Sequence, residues 1–184
     1  MAAAEVTGTV RKDGHDLGDI APDSVPIVKT IQWPTEVATQ SFAQGLAMKP
    51  GLRNAFIALH GGLGAGKTSF VRHLLHALGV QGRVKSPTYA VVESYELPDF
   101  NPALNIWHFD FYRFNDPREW EDAGFRDIFA SQGLKLAEWP ENAASHLPLA
   151  DLVMQIDVAP DESRQVMLTA QTPLGRQLIE SPPS

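Results

Sequence analysis

The stretch His60-Gly61-Gly62-Leu63-Gly64-Ala65-Gly66-Lys67-Thr68-Ser69 limits the possible folds of this chain more than any other feature. Gly61, Gly66, Lys67 and Thr68 satisfy the spacing Gly-x4-Gly-Lys-Ser/Thr, the pattern of a P-loop. Each residue type answers a separate demand. Glycines let the backbone turn tightly and aim successive N–H groups at phosphate oxygens, and a helix that follows presents its positive dipole end. Lys67 supplies a point charge between β- and γ-phosphates, and the Thr68 hydroxyl is placed to ligate a Mg²⁺ joining the same two groups.

A loop of this kind works only between a buried strand and a helix. Ala55-Phe56-Ile57-Ala58-Leu59 is an apolar run of strand length. Beyond the loop, Phe70, Val71, Leu74, Leu75 and Leu78 recur at helical spacing until Gly79, a residue suited to a C-terminal cap. The full phosphate-binding stretch to expect is therefore Gly62, Leu63, Gly64, Ala65, Gly66, Lys67, Thr68 and Ser69.

Composition narrows the function further. The 184 residues are 43% hydrophobic, enough for one well-cored domain. A net charge of −7 supplies no broad basic surface, which argues against direct gripping of nucleic acid or an anionic membrane. With no cysteine, disulfides, zinc–thiolate sites and cysteine nucleophiles are excluded. No apolar run reaches membrane-spanning length, and the N-terminus lacks the pattern of a secretory signal, so the expected location is cytoplasmic. Residues 1–26 mix Gly, Asp, Lys, Ala and Pro without period and read as a flexible leader, leaving 27–184 as a single domain.

Along that domain the pattern predicts a strand at Ile27–Ile31, a helix at Pro34–Ala47 begun by proline, and the P-loop strand and helix. Further strands are expected at Tyr89–Tyr95, Asn105–Asp110 and Leu134–Pro140, with short helices at Pro117–Gly124 and Phe125–Phe129. Asp151–Val158 and Arg164–Ala170 read as an antiparallel pair, followed by a last helix from Pro173 to about Glu180. The fold class is α/β: three layers in a P-loop NTPase arrangement, a mixed, mostly parallel sheet with helices on both faces and an antiparallel C-terminal strand pair.

Two of these strands run into acids, Asp110 and Glu138, and ligands of such sheets gather at the strands' carboxyl ends. With Thr68 they make a sufficient oxygen set for Mg²⁺. Glu138 could instead orient an attacking water. In Ser86-Pro87-Thr88, proline keeps Ser86 extended, so Thr88 is either an ordinary strand-start residue or a hydroxyl that senses the γ-phosphate. His108 reads as a satisfied core histidine. Arg113 reads as a phosphate contact or a partner for an acid, and Trp139 as core before ligand.

The motifs Leu63-Gly64-Ala65-Gly66-Lys67-Thr68, Ser86-Pro87-Thr88-Tyr89, His108-Phe109-Asp110-Phe111-Tyr112-Arg113 and Glu138-Trp139-Pro140, in that order, resemble the TsaE family of bacterial tRNA-modification ATPases, also called YjeE. The resemblance covers about residues 33–170. It implies an ATPase that works with TsaB and TsaD to make threonylcarbamoyl-adenosine in tRNAs reading codons that begin with A, with tRNA contacted only through the assembly. It further implies that Lys67, Asp110 and Glu138 are the catalytic set, with Asp110 as the Walker B acid. Thr68, Asp110 and Glu138 would sit at Mg²⁺, Trp139 would be a site tryptophan, Glu36 and Thr39 would lie on a helix bordering the nucleotide, and Arg164 would close the adenosine end.

Two other classes compete. A small nucleoside or nucleotide kinase would pass the γ-phosphate to a second substrate, commonly under a lid carrying several arginines, yet the nine arginines here are scattered. A guanine-nucleotide switch would need a base-reading Asn-Lys-x-Asp, and none of the six lysines follows an asparagine.

Overall fold

Alternation along each strand decides which layer its side chains join, and in the strand feeding the P-loop both alternating sets are apolar. In the computed structural model, which describes residues 26–180, Phe56, Ile57, Ala58 and Leu59 are all buried. The expected leader over residues 1–26 falls almost wholly outside the described part. A strand buried on both faces has to sit inside a sheet covered by helices on both sides. The strands are β1 (Ile27–Trp33), β2 (Phe56–His60), β3 (Val92–Leu97), β4 (Leu104–Asp110), β5 (Leu134–Glu138), β6 (Leu152–Val158) and β7 (Arg164–Ala170). They form one sheet in the order β1-β7-β6-β2-β5-β4-β3.

The four central strands β6, β2, β5 and β4 run parallel to one another, which brings their carboxyl ends to one edge of the molecule. Antiparallel pairing occurs at both sides. β6 pairs with β7 as expected; in addition, β1 lies against β7 and β3 against β4. The β1–β7 register sets Trp33 opposite Arg164, a juxtaposition no local pattern announces.

Helices cover the sheet as α1 (Glu36–Ala47), α2 (Lys67–Leu78), α3 (Pro117–Asp122), α4 (Phe125–Ala130) and α5 (Pro173–Ile179). One core is mainly aliphatic: Ile57, Leu59, Leu136 and Met154 of the sheet meet Leu46 of α1, Phe70, Leu74 and Leu75 of α2, and Leu178 of α5. The opposite face is aromatic, gathering Phe56, Phe109, Phe111, Phe114, Trp120 and Phe125. Its rings stack or meet edge to face at centroid distances such as 5.3 Å for Phe109 with Phe125, a geometry that adds about 0.5–1.5 kcal/mol per pair beyond area burial.

Several boundaries differ from the sequence pattern for local reasons. The first helix starts at Glu36, two residues after Pro34, because the Thr35 side chain accepts from the Ala38 N–H and fixes the cap there. β3 starts at Val92, three residues later than expected: residues 88–90 form a turn, the Val91 N–H donates to the Pro87 carbonyl at 2.7 Å, and Val91 takes a left-handed φ of 65°. β5 stops at Glu138, since Trp139 has a φ of 55° and Pro140 opens a short 3-10 turn. A second such turn, Pro50–Asn54, precedes β2. Gly79 caps α2 in the left-handed conformation, in line with its position after the last apolar residue of the helix.

Candidate functional site

The P-loop lies at the carboxyl edge of β2, and its first glycine shows why that residue type is needed. Gly61 has a φ of 138°, and a Cβ there would collide with the Ile156 carbonyl oxygen of β6. The loop therefore packs directly on sheet backbone before turning into α2, whose first residue is Lys67. Gly66 has a φ of 109° and carries no capping side chain, which leaves the first N–H groups of α2 available to an anion.

Lys67 is 4% exposed and folded back, its Nζ donating to the carbonyls of Gly61 at 2.5 Å and Gly62 at 2.9 Å. The Trp139 ring lies 3.9 Å from the same ammonium, a cation–π contact made possible by the left-handed turn at Trp139. Burial holds the ammonium below the usual lysine range, while the carboxylates of Glu138, Glu141 and Asp110 pull it back up.

Asp110 and Glu138 are direct register partners on β4 and β5. Each has its own set of donors. The Thr68 hydroxyl donates to Glu138, 2.9 Å from both carboxylate oxygens, so α2 and β5 meet at this pair. Asp110 Oδ2 accepts from Thr88 at 2.8 Å and from Ser86, and Oδ1 accepts from the Tyr112 N–H at 2.9 Å. Thr88 is thus tied to the strand-end acid rather than serving as an ordinary strand start. Together, residues of the P-loop, Ser86, Thr88, Asp110, Tyr112, Glu138 and Trp139 line a cavity of about 290 Å³.

A second cavity, of about 180 Å³, opens on the other side of the loop and shares Ala65, Gly66 and Ser69 with the first. It is lined by Thr35, Glu36 and Thr39 at the start of α1, by Trp33 of β1 and by Arg164 of β7. Arg164 Nε donates to the Ala65 carbonyl at 3.3 Å, and Nη1 donates to the Glu162 carbonyl. The Glu36 carboxylate lies 3.1 Å from His73 Nε2 of α2. The residues that the sequence assigns to phosphate, metal and nucleoside therefore border the loop, divided between its two sides.

Other placements differ from the sequence reading. Arg113 lies over the Tyr89 ring at 4.7 Å, and it forms no ion pair with an acid among the described residues. His108 is fully buried, but it is not a fully satisfied core residue: Nε2 is 2.8 Å from Glu138 Oε1, and Nδ1 has no hydrogen-bond partner among the described residues. Two further side chains join the site: that of Ser86, whose corner the sequence marks for Thr88 without giving the serine a contact of its own, and that of Glu141, which the sequence pattern does not single out. Ser86 carries a signal, since a hydroxyl two residues before Thr88 across an extended proline corner can reach the same acid. Glu141, whose carboxylate is 3.0 Å from His60 Nδ1, follows a turn that no strand pattern predicts.

Among the described residues no group of three His, Cys, Asp or Glu side chains could hold a metal ion. The donor set is one hydroxyl with carboxylate oxygens beside it. That set fits a hard divalent cation that draws its remaining ligands from phosphates and water.

The model of the family described as "Threonylcarbamoyl adenosine biosynthesis protein TsaE" matches residues 33–166. A Haemophilus influenzae protein named tRNA threonylcarbamoyladenosine biosynthesis protein TsaE is 44% identical over 68% of this chain and 76% of its own. A Bacillus subtilis protein of the same name is 33% identical over 78% of this chain and 87% of its own. The crystal structure of Bacillus subtilis YdiB superposes with a TM-score of 0.62 at 26% identity, covering 83% of this chain and 93% of the other.

Proposed function

The chain belongs to the TsaE family, and from that premise we propose that it is the ATP-hydrolysing component of threonylcarbamoyl-adenosine formation in tRNA. The observation that carries this reading is the meeting of Thr68 and Glu138 at 2.9 Å beside the P-loop lysine, with a second carboxylate, Asp110, in register next to them. A phosphate cradle alone suits any nucleotide binder. A cradle faced by two strand-end acids suits hydrolysis.

In this reading Lys67 leaves the Gly61 and Gly62 carbonyls and turns to the β- and γ-phosphates. Thr68 and Glu138, with Asp110 completing the acidic wall, would hold Mg²⁺, which when bound would supply positive charge to the phosphate oxygens. Glu138 in this reading also orients a water for attack on the γ-phosphorus, giving ADP and phosphate. On the same reading the Ser86 and Thr88 hydroxyls, which donate to Asp110, turn their protons to the γ-phosphate, and the corner returns to Asp110 when that phosphate is lost. Glu36, Thr39 and Arg164 take the nucleoside end. Arg164 is the one arginine among the residues lining the two cavities, which favours water as acceptor over a kinase's second phosphorylated substrate.

The partners in this reading are TsaB and TsaD, with tRNA held by the assembly, in keeping with a net charge of −7. No described helix is long and apolar enough to cross a membrane, and the proposed location is the cytoplasm. The test is release of phosphate from ATP by the full chain, alone and with TsaB and TsaD, together with the yield of modified tRNA over many turnovers. Phosphate release that is stimulated by the partners and a yield that fails for Lys67→Ala are expected. Undiminished multi-turnover yield with Lys67→Ala would refute the reading.

A further inference from the structure

The buried histidine beside Glu138 has no place in the scheme above, and its surroundings are specific. His108 and Asp110 occupy alternate positions on β4, so both side chains project to the face that carries Glu138 on the adjacent strand. His108 has no exposed surface. Its Nε2 meets Glu138 Oε1 at 2.8 Å, while Thr68 reaches the same carboxylate from α2. Glu138 is therefore held from two directions, from the strand beside it and from the helix above it.

The other ring nitrogen shows what this pairing costs. Nδ1 is buried without a hydrogen-bond partner among the described residues. A carboxylate only accepts, so the nitrogen facing it has to carry a proton, and in a neutral ring Nδ1 is then a bare lone pair. With the proton on Nδ1 instead, a donor would be orphaned and a lone pair would point at a carboxylate. Keeping an unpaired polar atom in the core costs free energy that an apolar residue of similar size would not. The hydrogen bond to Glu138 is what the ring provides in return.

We propose that His108 is a positioning residue that fixes the Glu138 carboxylate by donating from Nε2 to Oε1, while the Thr68 hydroxyl spans both carboxylate oxygens from the other side. The proposal rests on the reading of Glu138 given above. Partners of this kind behind a ligating or water-orienting carboxylate typically change metal affinity or activity by about 10- to 100-fold when removed.

The test uses the full chain with His108→Leu, which removes the donor, and His108→Gln, which returns an N–H to a similar reach. Nucleotide affinity is measured by calorimetry with Mg²⁺ and with EDTA, and phosphate release is measured in parallel. For His108→Leu the affinity in EDTA should stay within about twofold, while the improvement on adding Mg²⁺ and the turnover number fall by roughly 10-fold or more. His108→Gln should recover most of both. Combining His108→Leu with Glu138→Gln should cost little beyond Glu138→Gln alone, because both act through one carboxylate. A wild-type response to Mg²⁺ and wild-type turnover in His108→Leu would overturn the proposal, as would equal loss in the Leu and Gln variants with EDTA affinity reduced in step. If His108→Leu does not fold, the Gln variant decides: recovery supports the proposal and loss overturns it. Glu138→Gln alone separates the two levels, because wild-type behaviour there removes the reading of Glu138 itself, whereas a damaged Glu138→Gln beside a normal His108→Leu removes only the role of His108.

Discussion

Lys67 at the start of α2 and Lys135 on β5 stand in two regions of the molecule and share nearly every local property. Each is 4% exposed. Each is held below the usual lysine range by burial, donates to backbone carbonyl oxygen, and lies against a tryptophan, Trp139 at 3.9 Å for Lys67 and Trp107 at 5.2 Å for Lys135. They part in what else converges on them. Lys67 is faced by Glu138, Glu141 and Asp110 and borders a cavity; Lys135 has the charge of Asp151 and the carbonyl of exposed Ser131. Burial and a perturbed lysine therefore do not mark a site by themselves. Oxygen donors brought together from several strands do.

The comparison predicts where damage should fall. The largest effect belongs to the acids: Glu138→Gln should lower turnover by about 10²- to 10⁴-fold, the range for losing a group that handles the attacking water, and Asp110→Asn by about 10- to 100-fold, the range for weakening a metal's surroundings. Nucleotide affinity in EDTA should survive in both, since Lys67 and the loop amides remain. Normal phosphate release by Glu138→Gln would make that residue a bystander.

Next comes the lysine pair itself. On the proposed role, Lys67→Ala should remove a charged donor to phosphate, a contact of about 1.5–3 kcal/mol, or roughly 10- to 150-fold in nucleotide affinity. Lys135→Met should bind nucleotide as wild type does. Calorimetric titration of both variants checks this, and a loss of affinity in Lys135→Met would collapse the distinction.

A smaller effect is expected across the loop. Arg164→Ala and Thr39→Ala should weaken nucleotide binding by a few fold, on the order of 0.5–1.5 kcal/mol per lost contact. The loss should be the same with Mg²⁺ and with EDTA, because this side of the loop carries none of the proposed metal ligands. A loss confined to the Mg²⁺ titration would place these residues on the wrong side.

How much of this is legible in the sequence follows the same division. The cradle, Lys67 and Thr68 are contiguous, and Asp110 and Glu138 each end an apolar run, so spacing finds them. Thr39 and Arg164 meet only because β1 crosses to pair with β7 and sets Trp33 opposite Arg164. The bond between Ser86 and Asp110 depends on a turn over residues 88–90 whose composition suits a strand, since β-branched and aromatic residues fill it. His108 reads as core because burial is legible in an apolar strand and its partner on the neighbouring strand is not. Strand pairing is long-range information, and a single sequence holds it only weakly.

The smallest predicted effect concerns stability. A lysine whose folded-state value is lowered sheds its proton sooner in the native protein than in the unfolded chain. Stability then rises with pH as the folded group titrates, is fully present above the ordinary lysine value of 10.5, and is lost as pH falls through the folded value. Lys135→Met should change stability by less than about 1.5 kcal/mol near neutral pH, as a near-isosteric core substitution does. Its distinguishing sign is that wild type gains on the variant as pH is raised through the alkaline window below 10.5. Denaturant midpoints at several pH values measure this, and a wild-type advantage that shrinks with rising pH would reverse the assignment.

The most direct test of the account is single-turnover phosphate release from ATP in the presence of Mg²⁺, TsaB and TsaD, run side by side for wild type, Lys67→Ala and Lys135→Met. The predicted result is equal release by wild type and Lys135→Met and none above background by Lys67→Ala. Release by Lys67→Ala at the wild-type rate, or equal loss in both variants, would contradict it.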